Sequence, residues 1–142
     1  MILKSFELNK INHEKKFFLF YGENQGFKNQ VIQEKFKKKN SDSFYHYEET
    51  DIIQNKEVFF NDILSKSFFE DEKLIIISRA TDKIKGIVEE IIEKEIDGLI
   101  IVLNSNSLEK KSKLRTLFEK NKKTICVPFY EDNKQTLSIM VN

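Results

Sequence analysis

The chain has 142 residues, 39% of them hydrophobic, which is the size of one domain able to bury roughly two thirds of its unfolded surface. Its charged fraction of 33% balances to a net +1, and all but two of its basic residues are lysine. This excludes a whole-molecule field aimed at nucleic acid or membrane, and it disfavours bidentate reading of bases.

The N-terminal stretch carries Lys4, Glu7 and Lys10 among its apolar residues, and no run approaches the roughly 18 apolar residues of a membrane span. Ile2, Leu3, Phe6 and Leu8 are expected to form a leading helix. Phe17 to Tyr21 reads as a first strand, and Phe27, Val31, Ile32 and Phe36 then recur at helical spacing. Ser43 to Tyr47 is a second strand whose polar content places it at a sheet edge. Phe59, Phe60, Ile63 and Leu64 mark a short apolar helix face before the third strand, Leu74 to Ser78. Ile84, Ile87, Val88, Ile91, Ile92 and Ile96 form the clearest amphipathic helix. A fourth strand, Leu99 to Leu103, precedes a helix built on Leu108, Leu114, Leu117 and Phe118 with Ser107 as its expected cap. Thr124 to Val127 is the fifth strand. It holds Cys126, the only cysteine, so neither a disulfide framework nor a thiolate metal site is available and a reducing cytoplasm fits.

The third and fourth strands are apolar without alternation, as central strands covered on both faces must be. Alternating β and α elements with right-handed crossovers then imply an α/β fold, a three-layer sandwich around a five-stranded parallel sheet. Residues 1–130 make this domain, and 131–142 read as the start of a following helical segment.

The turn after the first strand, Gly22 to Asn29, stands where a strand-to-helix phosphate loop would stand. A loop of the form G-x-x-x-x-G-K-[ST] needs a second glycine for close backbone approach and a hydroxyl for magnesium. Counted from Gly22 those positions hold Phe27 and Asn29, so Gly22, Gly26 and Lys28 form only a degenerate version. The third strand ends in Ser78-Arg79, where hydrolysis would need an acid to position metal and water. Asp82 is expected to cap the helix of Ile84 to Ile96. Asn104 occupies either a polar sensor position or the turn that closes the fourth strand with Ser105 and Asn106. His13 and His46, the only histidines, lie in a charged stretch and on the edge strand, and no catalytic triad or metal cluster assembles around them. The readings left open are a non-catalytic binding module, a divergent nucleotide-binding ATPase centred on Lys28, and a nucleic-acid binder using the lysine clusters at Lys35 to Lys39, Lys110 to Lys113 and Lys120 to Lys123.

Taken in order, FFLFYGENQ, SFFEDEKLIIIS, LIIVLNSNSLEKKSKLRTLFEK and TICVPF resemble the N-terminal domain of the delta subunit of bacterial DNA polymerase III, the clamp-opening subunit of the clamp loader, over Phe17 to Phe129. The resemblance implies an AAA+-like domain that has lost its ATPase motifs. It implies no cofactor and no catalysis of its own, within a DNA-directed DNA polymerase (nucleotidyltransferase) holoenzyme. The implied partners are the sliding clamp, the other loader subunits through further domains, and primed DNA within the complex. The family's clamp-contacting apolar pair, often Leu-Phe, falls here on Phe68 and Phe69. On residues alone, Phe68 either stands exposed or continues the stripe of Phe60 and Leu64 into the core.

Overall fold

The structure, a computed structural model, describes residues 2–4, 16–37, 44–69 and 73–130, and of residues 66–69 the backbone alone. Five strands, β1 (Phe17–Tyr21), β2 (Phe44–Glu48), β3 (Lys73–Ser78), β4 (Leu99–Asn104) and β5 (Thr124–Pro128), pair in parallel in the order β2-β3-β4-β1-β5. The expected α/β sheet is therefore present, with β3 and β4 inside it and the polar β2 at an edge.

The chain crosses this sheet in two senses. From β1 it travels across β4 and β3 to reach β2, and every later connection steps back toward β5. Right-handed crossovers then require the first connection to lie on one face and all later ones on the other. On the first face, α1 (Gln25–Val31) runs into a π-helical segment, Ile32–Lys37. On the second lie α2 (Glu49–Gln54), α3 (Lys56–Phe69), α4 (Lys85–Lys94) and α5 (Lys113–Lys120).

Strand alternation divides the core accordingly. Phe17, Leu19, Ile75, Ile77, Ile101, Leu103 and Cys126 face the four helices, whereas Phe18, Phe20, Leu74, Ile76, Val102, Ile125 and Val127 face α1 and its extension. The thinly covered second set is filled by aromatic rings. Phe36 meets Phe18 edge-on at 4.9 Å between centroids, and Phe129 meets Phe20 at 5.2 Å and Phe27 at 5.1 Å.

Several local expectations are corrected. Ile2 and Leu3 are not helical: Ile2 forms a parallel bridge to Cys126, and Leu3 N donates to Cys126 O at 2.9 Å, because the outer edge of β5 offers unpaired backbone groups. The rest of the expected leading helix, with Phe6 and Leu8, lies outside the described residues, as do His13 and the segment 131–142. Leu64 leaves the core stripe of Phe59, Phe60 and Ile63 and is exposed. The last helix begins at Lys113 rather than Leu108, and Ser112, not Ser107, caps it through a bond from Arg115 N at 3.2 Å. The short helix α2 was not expected. It starts with Glu49, buried because its carboxylate takes both the N–H and the hydroxyl of Thr81.

Candidate functional site

In a parallel α/β sheet, ligands collect outside the carboxyl ends of the strands, where neighbouring strands send their connections to opposite faces. That point here lies between β1 and β4. Three residues, Gly22 to Asn24, separate β1 from α1. Gly22 has φ +120°, and a Cβ there would stand 2.0 Å from the carbonyl oxygen of Phe129, so only glycine fits. Asn24 caps α1 by accepting from Phe27 N at 3.1 Å.

A phosphate cradle needs free N–H groups, and several of those in this loop are already engaged. Gly22 N donates to Asn106 O, Asn24 N to Phe129 O, Gln25 N to Glu23 O and Lys28 N to Asn24 O. Gly26 lies within the first turn of α1, where an added Cβ meets nothing closer than 4.0 Å, so it is not a close-approach glycine.

Lys28 is the decisive residue. Its side chain is fully buried, and Nζ donates to Gly22 O at 2.7 Å and Ser105 O at 2.5 Å. The ammonium thus binds the ends of β1 and β4 to α1 from inside. Burial lowers its pKa from 10.5 to about 8. A phosphate-loop lysine works by reaching outward to phosphates; this one reaches inward to carbonyls.

Above it, a cleft of about 290 Å³ opens at the strand ends, lined by Gln25, Glu48, Ser78, Arg79, Asn104 and Asn106. The register of β2 on β3, which sets Glu48 opposite Ser78, brings His46 Nε2 to 2.5 Å from Ser78 Oγ. Arg79 follows with φ +57° and its Nε 4.0 Å from a Glu48 oxygen. Sequence reasoning treated His46, Ser78 and Asn104 separately, because a contact across 32 positions leaves no local signal. Asn104 closes β4, and its carbonyl accepts from Ala80 N. No carboxylate among the described residues bonds the second ring nitrogen of His46, and no group of potential metal ligands occurs among them.

Asp82 departs from the role expected of it. Thr81, not Asp82, caps the turn before α4 through Lys83 N. The Asp82 carboxylate instead caps α5 across the domain, accepting from Ser112 Oγ at 2.6 Å, Leu114 N at 3.1 Å and Lys113 N at 3.1 Å. The Ser112 hydroxyl, followed by these backbone donors, holds its pKa below the usual aspartate value.

Phe68 and Phe69 are the last two residues of α3, and their side chains lie outside the described set, with Glu70 to Glu72. Leu64, one helical turn before Phe68, is 39% exposed, and Val58 earlier on the same helix is 57% exposed. No helix among the described residues is long and apolar enough to cross a membrane. No protein-family model and no curated protein matches this sequence.

Proposed function

We propose that this chain is a non-catalytic binding module of a clamp loader, a delta-subunit-like domain that binds and opens the sliding clamp for loading onto primed DNA. The observation that carries the reading is Lys28: in a parallel α/β fold, the lysine standing where a phosphate-loop lysine would stand is bonded inward to Gly22 O and Ser105 O. The loop amides already paired around it support the same conclusion. Function then passes to surfaces, and the exposed Leu64 and Val58 make α3 an apolar approach to the pair Phe68 and Phe69.

The energetics suit such a contact. A phenylalanine buries about 150 to 250 Å², and at about 25 cal/mol per Å² two of them supply several kcal/mol before association costs. The test is titration of the purified chain onto a bacterial ring clamp by calorimetry or surface resonance. Replacing Phe68 and Phe69 together by alanine is expected to weaken binding more than about 100-fold, the loss typical of a pair of central anchors. Unchanged affinity in that variant, with the wild type bound, sinks the site assignment. A wild-type chain that binds no clamp sinks the function.

A further inference from the structure

Strand register places a polar row across the carboxyl ends of three strands. Glu48, Ser78 and Asn104 stand opposite one another on β2, β3 and β4, and Phe20 of β1 continues the row. Phe20 faces α1, so the three polar residues share that face of the sheet. His46, two positions before Glu48 on the same strand, shares it too, and its Nε2 lies 2.5 Å from Ser78 Oγ. His46 is exposed and Ser78 half-buried, so the contact fills no core and a small molecule can reach it.

The cleft over this pair supplies the other parts of an acyl-transfer site. Its volume of about 290 Å³ and its polar lining of Gln25, Glu48, Ser78, Arg79, Asn104 and Asn106 suit a small polar molecule and not a hydrocarbon chain. Asn104 is buried, and its side-chain amide makes no hydrogen bond among the described residues. Its N–H groups are therefore available to a carbonyl oxygen placed beside Ser78, its neighbour in register. Arg79 turns the chain at φ +57° directly after Ser78. Its guanidinium, 81% exposed and 4.0 Å from a Glu48 oxygen, is held only loosely. A cation so placed selects an anionic group on the incoming molecule.

We propose that Ser78 is a covalent modification site, acylated by a small acyl phosphate with His46 as the base. The neutral imidazole carrying its proton on Nδ1 accepts the hydroxyl proton at Nε2 as Ser78 Oγ attacks the acyl carbon. An ester C–O bond forms, the bond from the acyl carbon to the phosphate oxygen breaks, and inorganic phosphate leaves with the proton held by His46. Asn104 receives the carbonyl oxygen and Arg79 the phosphate. With no carboxylate among the described residues bonded to His46, the ring is not oriented for a second, hydrolytic step, and the ester remains on Ser78. The site goes beyond the clamp reading, whose surface is α3 on the opposite face of the sheet.

The test incubates the full chain with acetyl phosphate and locates the acetyl groups by peptide mass spectrometry. The expected result is an ester on Ser78 that hydroxylamine removes, whereas adducts on the abundant lysines are amides and resist it. Ser78→Ala is expected to lose the labile adduct. His46→Gln, at an exposed position that leaves the hydroxyl in place, is expected to slow its formation about 100-fold or more, as removal of a general base does. Arg79→Gln is expected to lose about 10-fold or more in rate with acetyl phosphate relative to the neutral donor para-nitrophenyl acetate, because only the anionic donor uses the charged contact. The proposal is overturned if acetyl is found on lysines alone, if Ser78 labels no faster than the exposed Ser107, or if His46→Gln labels Ser78 at the wild-type rate. Equal losses in Arg79→Gln with both donors would overturn the acyl phosphate as the donor.

Discussion

Replacing Lys28 by alanine separates a structural lysine from a phosphate-binding one. The substitution leaves Gly22 O and Ser105 O without their buried donor, at about 1 to 3 kcal/mol each. Loss of the buried methylenes adds about 3 kcal/mol. Against this, removing an ammonium whose pKa is held at about 8 instead of 10.5 relieves about 3 kcal/mol at neutral pH. The net expectation is a destabilisation of about 2 to 6 kcal/mol, a large share of the usual stability of a domain. Urea unfolding followed by circular dichroism reads it as a midpoint lowered by about 1 to 3 M. The pH dependence carries a second signature. A lysine whose folded pKa is depressed contributes stability that is present above 10.5 and lost as pH falls toward 8. Cys126, raised by burial to about 12, acts in the opposite sense, losing stability as pH rises from 9 toward 12. The difference between wild type and Lys28→Met therefore isolates the lysine. If Lys28→Ala unfolds within about 0.5 kcal/mol of wild type and abolishes a saturable magnesium-ATP binding isotherm, the lysine faces a nucleotide and the reasoning fails.

Gly22→Ala is expected to cost about 4 kcal/mol or more, since the new Cβ would stand 2.0 Å from Phe129 O at a φ of +120°; a cooperative unfolding transition within about 1 kcal/mol of wild type would contradict the loop geometry. Asp82→Ala removes the cap of α5 and is expected to destabilise by about 1 to 2 kcal/mol near neutral pH. Because the folded pKa of Asp82 is lowered, that stability is present above the ordinary value of about 4 and vanishes as pH falls through the folded one. An acid titration should show the two proteins converging, and a gap that persists in acid would mean that packing rather than the charged cap is responsible.

The strands were legible because a buried parallel strand must be apolar on both faces. Runs such as Leu74 to Ile77 and Leu99 to Leu103 therefore declare themselves without partners, and the polar β2 declares itself an edge by the same logic. The helix α4 was equally plain, since its isoleucines recur at its own period. The defects of the phosphate loop at Phe27 and Asn29 were visible as missing residue types. In each case the information lies within a few residues of where it acts.

What escaped the sequence depends on residues far apart in the chain. Ser112 wins the cap of α5 over Ser107 partly because Asp82, 30 positions away, bonds its hydroxyl. Leu64 is exposed because the buried face of α3 is set by what packs beneath it, and Ile2 pairs with β5 because that edge is open. His46 meets Ser78 only through the register of two parallel strands. Lys28 shows the division most sharply. The local residues alone show that a lysine stands one turn into the helix after the first strand, beside a loop of the wrong composition. That its amine turns inward follows from the folded arrangement, because Ser105 O arrives from the end of β4 across 77 positions and, with Gly22 O, provides the buried acceptors that an ammonium needs in place of water or phosphate.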